Sequence, residues 1–248
     1  MRTALAMLAM SMLVGTAYAV DITACGTVVP AHDVGVLQTD LDCGVLPVGV
    51  TLQRSARLDL NGHTLHGGVR GVLADFARGH AWVDGPGAVA DADIGIVTTG
   101  GSSSGNQAEL RLTDVDLHDN GIGVSADRLK LTRVTSQGNQ HGFKANFHVK
   151  GTDVVASDNA KFGVWSGAGV VKLKRLTASS NGWFGVIATQ GGRVVLADST
   201  VTGNAAGLGD VDVASSRRPS LRNVVCGRSS DAFSVFITGT SWGVCASD

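Results

Sequence analysis

The sequence predicts an all-β solenoid, a stack of short coils in a single domain with disulfide-tied ends. Three observations predict it: an asparagine-marked repeat of about twenty residues, a composition poor in helix formers, and cysteines confined to the two ends.

The chain lines up on its asparagines. "LRLTDVDLHDNGIGVSAD" begins at Leu110, "LKLTRVTSQGNQHGFKAN" at Leu129 and "VKGTDVVASDNAKFGVWS" at Val149. "VKLKRLTASSNGWFGVIA" follows from Val171 and "VVLADSTVTGNAAGLGDV" from Val194. The shared positions are Asn120, Asn139, Asn159, Asn181 and Asn204, in steps of 19, 20, 22 and 23 residues. Each is followed within a few residues by a glycine (Gly123, Gly142, Gly163, Gly185, Gly207) and then an apolar residue. Each unit holds two short alternating strands and an Asn-x-x-Gly corner, which is one coil that cannot bury its apolar side alone. The asparagine is expected to take the left-handed corner conformation and to bond the coils above and below. The glycine is expected to supply the backbone angles that start the next strand. Regularly placed two-residue hairpin turns, which a sandwich would need, are absent.

Composition agrees. There are 34 glycines and 4 prolines, and Glu109 is the sole glutamate. Abundant Val, Gly, Thr, Ser and Asn favour turn-rich β-structure. A formal net charge of −1 argues against nucleic acid as the partner.

Met1 to Ala19 reads as an export signal: Arg2, an apolar run from Ala4 to Val14, and Ala17-Tyr18-Ala19 at a small-residue cleavage site. It is too short to span a bilayer, and no later apolar run is long enough. The expected location is therefore secreted, extracellular or periplasmic. Cys25 and Cys43 lie near one end, Cys226 and Cys245 near the other. Of three possible connectivities, local pairing closes short loops and clamps both ends. No cysteine has a partner at metal-ligand spacing. The organisation expected is a signal at 1–19, an N-terminal capping region at 20–57, coils at 58–214, and a last coil with cap at 215–248. "TTGGSSSGNQ" at 98–107 reads as a projecting loop.

"LDLNGHTLHG" from Leu58, with the stacked Asn-x-x-Gly coils, resembles the right-handed parallel β-helix of the pectate-lyase-like superfamily. Right-handedness is what the resemblance implies. So is the range of activities, which runs from polysaccharide lyases, hydrolases and epimerases to secreted proteins without a reaction. In the lyase branch the resemblance implies an Arg or Lys base beside Ca²⁺-binding carboxylates, so Ca²⁺ is expected only if the chain is a lyase; otherwise no cofactor or metal is expected. The polygalacturonase motif set and the epimerases' Asp-Pro-His-Asp are absent from this sequence.

The alignment also sorts the outward residues. One stripe is Asp114, Arg133, Asp153, Arg175 and Asp198, alternating in sign and expected to form a surface ladder. Its neighbour is Arg111, Lys130, Lys150, Lys172 and then Val195, like charges without an aligned acid. All six lysines lie between 130 and 174, and Lys144, Lys161 and Lys174 could extend the patch. The ligand-binding set is Arg111, Lys130, Lys150, Lys172, Lys144 and Trp165, as a cationic track for an acidic polysaccharide. Solvated lysines, or lysines drawn to the ladder, are the competing reading.

Chemistry is less well marked. Lys144, Lys150 and His141 are the candidates for an acid or base. Asp119 and Asp158 share a corner position two rungs apart, roughly 9.6 Å, at or beyond the edge of the inverting-glycosidase range. His118, His141 and His148 fall near successive corners, His63 and His66 in the opening coil. Trp165, Trp183 and Phe184 could stack on sugars or cover the core end. The functional expectation is a secreted solenoid binding an acidic polysaccharide. A lyase or epimerase, or a purely structural surface protein, is the alternative.

Overall fold

The computed structural model describes residues 19–99, 107–204, 211–234 and 237–248. Met1 to Tyr18 of the segment read as an export signal, most of the segment read as a projecting loop, and Gly207 lie outside the described residues. The chain winds as a parallel β-solenoid of about 8 turns, and among the described residues it contains no helix.

One turn shows the construction. The strand Ile122–Gln137 bends twice. Its residues 122–126 pair with 94–97 above and 141–145 below, 128–132 pair with 109–113 and 148–152, and 134–137 pair with 116–118 and 154–157. Every coil therefore contributes a segment to each of three stacked parallel sheets, here called the first, second and third faces. The repeat suggests only two strands per unit, because the bend before the second face leaves no mark in the spacing. Alternate side chains point inward, as the pleat requires. Val124, Leu129, Leu131 and Val134 are buried with their equivalents Phe143, Val149 and Val154 in the next coil. The core is thus a column of aliphatic layers.

The Asn-x-x-Gly motif works differently from the sequence expectation. The asparagines are buried, between 1% and 3% exposed, and the left-handed backbone falls on other residues. At the corner it sits one position earlier, on Asp119, Gly138, Asp158, Ser180 and Gly203, with φ from 56° to 68°. The asparagine is freed to point inward. Asn159 Oδ1 accepts from the backbone N–H and Nδ2 of Asn139, each at 3.2 Å. Its own Nδ2 donates to Ser136 O at 3.1 Å and to Asn181 Oδ1 at 2.9 Å. The same pattern runs from Asn120 to Asn204, so bonding to the coils above and below is as expected.

The repeated glycine is a matter of space, since Gly123, Gly142, Gly163 and Gly185 are all at negative φ. A Cβ on Gly142 would lie 2.4 Å from Gly163 O and 3.1 Å from Asn159 Nδ2; on Gly163 it would lie 2.7 Å from Gly185 O and 2.9 Å from Asn181 Nδ2. Each glycine leaves the room that the asparagine of the following coil fills. Asparagine and glycine in the motif thus belong to one lock between successive turns.

Stacking reaches further toward the N-terminus than the repeat suggests. Ala19–Ile22 pairs with Val34–Leu37, and Val34 to Val36 with Arg57 to Asp59, so the segment read as an end region is itself built of coils. Cys25–Cys43 and Cys226–Cys245 are bonded, with Cα–Cα distances of 5.6 and 5.2 Å, in the expected local pairing. Loops of this size are closed with a stabilisation of roughly 3 kcal/mol each. Two such bonds point to an oxidising, extracellular compartment. Among the described residues no helix is long and apolar enough to cross a membrane. The C-terminal segment breaks the parallel rule: Ser229–Ser234 meets Ile237–Thr238 antiparallel. Burial would raise the Asp248 carboxyl, but hydrogen bonds from Ser229, Cys245 and Val244 outweigh it and bring it down to about 2.

The lock can be tested directly. Asn159→Ala strands buried donors of Asn139 and should cost about 3 kcal/mol, read as a lower urea midpoint at unchanged slope. Gly163→Ala should cost roughly 2 kcal/mol by overpacking. Asp158→Gly, at φ 57°, should leave the midpoint within about 0.5 kcal/mol of the parent's. A Gly163→Ala variant as stable as the parent would refute the shared lock.

Candidate functional site

The second face carries the cationic column in the register the sequence predicts. Arg111 pairs with Lys130, Lys130 with Lys150, Lys150 with Lys172 and Lys172 with Val195. Each step is one rung, about 4.8 Å. The column also continues upward, where Arg57 pairs with Trp82 and Trp82 with Arg111. A flanking column on the same face runs through His80, Glu109, Arg128 and His148, and further down through Arg193 and Arg217.

Partners separate these cations into two kinds. Arg111 Nε donates to Glu109 Oε1 at 2.6 Å, and its guanidinium lies 5.6 Å from the Trp82 ring centre. Arg57 pairs with Asp84 at 2.8 Å. Lys130, Lys150 and Lys172 are exposed, and among the described residues none has a carboxylate within 4.0 Å. The carboxylates of the neighbouring stripe are already engaged. Arg133 donates to both oxygens of Asp114 at 2.5 and 2.6 Å, and Arg175 to both of Asp153 at 2.5 and 2.7 Å. Asp198 accepts from Asn223 at 3.1 Å, with Arg222 at 3.5 Å. The hydrogen bonds from Arg133 and Arg175 hold Asp114 and Asp153 below the usual carboxylate range. The alternating stripe is therefore a ladder of pairs, as expected. Its members sit at the corner between the second and third faces, with φ from 51° to 57°.

Three depressions follow one another along the face. The first, about 390 Å³, lies among His32, Arg57, His80 and Trp82; His80 packs edge-on against Trp82 at 4.3 Å. The second, about 260 Å³, lies among Glu109, Arg111, Arg128, Lys130, His148 and Lys150. The third, about 440 Å³, is bordered by Lys150, Lys172, Lys174 and Arg222. Lys174 thus joins the patch. Val170 N–H donates to His148 Nδ1 at 3.0 Å. Burial, then Arg128 and Lys150, hold His148 below the ordinary histidine pKa.

Lys144, Lys161, Trp165 and His141 do not join it. Lys144 pairs with Ser125 and Trp165, which puts both on the first face, separated from Lys150 by a bend of the chain. There His141 stacks on Phe162 at 5.1 Å, Lys144 lies 5.1 Å from the Trp165 ring and Lys161 5.2 Å from that of Trp183. Phe162, Phe184, Ile187, Val211, Ala214 and Ala232 form a second apolar cluster outside the main core, with Trp165 and Trp183 packed on it. These residues, grouped with the track in the sequence, belong to a different surface. Burial, then Lys161 and Lys144, lower His141 to about 4.

Other expected sites are separate again. His118 pairs with Asp119 at 2.9 Å, His63 with Asp40 at 3.3 Å and His66 with Asp91 at 3.2 Å. Among the described residues no three His, Cys, Asp or Glu side chains come together as a metal site. Sequence reading missed Arg57, His80, Trp82 and Arg128, and it named His148 only as one of three histidines near successive corners, apart from the track. The signal for Trp82 was present: "HAWVD" carries the same in-out alternation around Ala81 and Val83 as "ELRLT" around Leu110 and Leu112.

No protein-family model matches the sequence, and no curated protein matches it. Among solved structures, the A-module of the mannuronan C-5 epimerase AlgE4 from Azotobacter vinelandii is similar. It is 13% identical, the match covers 87% of this chain and 80% of that one, and the TM-score is 0.47. The fold assignment rests on the parallel register described above, not on this likeness.

The first-face cluster has a pH signature. His141 binds a proton in the folded chain only near pH 4, while an unfolded chain binds it near 6.5. Its contribution therefore lowers stability as pH falls from about 6.5 to about 4. The Cε1–H resonance of His141 should titrate with a midpoint near 4; a midpoint near 6.5 would contradict its contacts.

Proposed function

We infer that this chain is an exported β-helix protein that binds an acidic polysaccharide along its second face. One observation carries the reading. Lys130, Lys150 and Lys172 stand in register on consecutive coils, without a carboxylate within 4.0 Å among the described residues, in a line of depressions that begins at Trp82. Stacked like charges repel, and an extended polyanion along the solenoid axis would relieve the repulsion at every rung. An indole flanked by Arg57 and Arg111 offers an apolar plate for a sugar ring at one end of that line. Export is supported by the leader sequence and by the disulfides.

A reaction on the bound chain is the second reading, favoured by His148 and Lys150 meeting beside Arg128 in one depression. Lyase and epimerase chemistry would use the same groove. Incubating the protein with a polyuronate separates the possibilities. Shortening of the polymer would establish cleavage, unchanged length with altered sugar-ring signals would establish epimerisation, and neither would leave binding alone.

Retention on an immobilised polyuronate should be salt-labile and should vanish in the variant combining Lys130→Ala, Lys150→Ala and Lys172→Ala. A control combining Asp114→Ala, Arg133→Ala, Asp153→Ala and Arg175→Ala, which removes two whole ion pairs and leaves the net charge unchanged, should stay close to the parent. Equal retention of the lysine variant would remove the groove as the binding site.

A further inference from the structure

The middle depression differs from its neighbours in what it leaves unsatisfied. Two of its lining groups, Glu109 and Arg111, neutralise each other. Arg128, Lys130 and Lys150 remain, and among the described residues none has a carboxylate within 4.0 Å. Arg128 Nε is buried and, among the described residues, has no hydrogen-bond partner. A guanidinium whose inner N–H lacks an acceptor is destabilised, and an anion in the depression paired with its outer N–H groups would offset that cost.

His148 completes the wall, and its chemistry is set by the backbone. Since Nδ1 accepts the Val170 N–H, the neutral ring carries its proton on Nε2. To act as a base, Nε2 would have to be bare and Nδ1 protonated, which would set two N–H groups against each other. The ring is therefore a donor. A carboxylate suits this set: its two oxygens match the planar fork of a guanidinium, which a single ammonium does not offer.

We propose that Arg128, Lys130, His148 and Lys150 form a subsite for one sugar carboxylate, with His148 a neutral hydrogen-bond donor and not a general base. This rests on the reading of the second face as a polyuronate groove, and it assigns that groove one position with defined chemistry. The subsite predicts a linked titration. Arg128 and Lys150 disfavour a charge on His148, so a carboxylate between them raises its midpoint.

The test uses the whole chain and two readouts. In the first, the His148 Cε1–H resonance is titrated alone, with free glucuronate, with inorganic sulfate and with neutral glucose. Glucuronate should move the midpoint upward, sulfate less, and glucose not at all. Sulfate or glucose acting as strongly as glucuronate would overturn the carboxylate assignment, as would no response to glucuronate. In the second, Arg128→Leu and His148→Leu should each weaken polyuronate binding by roughly tenfold, while His148→Gln, which keeps an N–H donor, should lose clearly less than His148→Leu. Leucine variants that bind like the parent would overturn the subsite while the groove stands. A parent that binds no polyuronate would remove the groove, and the glucuronate titration alone would then decide the subsite.

Discussion

The rest of the structure depends on a carboxamide seated over a glycine. In each repeated turn an asparagine side chain enters the space that the preceding coil's glycine leaves open, and there it bonds coils on both sides. A buried amide without partners would cost several kcal/mol, so the contact tolerates almost no slip. That sensitivity is useful to a solenoid. Aliphatic layers alone would accept a range of stacking offsets, whereas an amide that must meet two carbonyl and amide groups accepts one. The series closes on Asp212, 2% exposed, whose Oδ1 receives the Asn204 backbone and side-chain N–H groups at 3.1 and 2.8 Å. Its other oxygen takes the Gly227 N–H at 2.6 Å. A carboxylate at this position accepts from both sides, which suits the junction between the asparagine-marked coils and the segment that follows them.

Fixed vertical register has a consequence on the surface. Every outward position becomes a column, and a column multiplies whatever charge the sequence writes there. At the corner after the second face the sequence alternates sign, and each arginine reaches back to the aspartate one coil earlier. The pairs are exposed and add little to stability. Their effect is to occupy the carboxylates nearest the lysine column, so what would have neutralised the lysines is already bound.

The sequence shows the fold far better than the site. Periodicity reported stacking, because Asn120, Asn139, Asn159, Asn181 and Asn204 obey one contact rule repeated five times. It also reported the columns correctly, since residues at equal distance from the lock must lie above one another. Two things escaped it. The left-handed position at the asparagine corner belongs to the residue before the asparagine, because a side chain that points inward must follow the bend and not form it. The faces were not separable either. Lys144 and Lys150 are six residues apart and share a strand, yet a bend at 146–147 sends them to different surfaces. Short-range spacing carries no record of such a turn unless the whole coil is counted out.

The lysine column shows how far local repulsion is allowed to persist. Neighbouring ammonium groups one rung apart repel by about 1 kcal/mol in water, and side-chain splaying lowers this further. Against the disulfide and buried-amide terms the cost is small, so the fold carries it without help from a ligand. Relief of that repulsion by a polyanion would be a small gain at each rung. The column's interest is directional: a chain with 20 basic and 21 acidic side chains, nearly neutral overall, concentrates unpaired positive charge along one line of one face. Segregation of that kind creates a field that a neutral glycan does not feel and a polyanion does. Trp82 and the Arg57–Asp84 pair end the line at the N-terminal side, where the charge is compensated and an aromatic surface begins. The face is thus asymmetric, apolar and neutral at one end and cationic along the rest, so a polyanion laid along it as proposed would favour one orientation over the other.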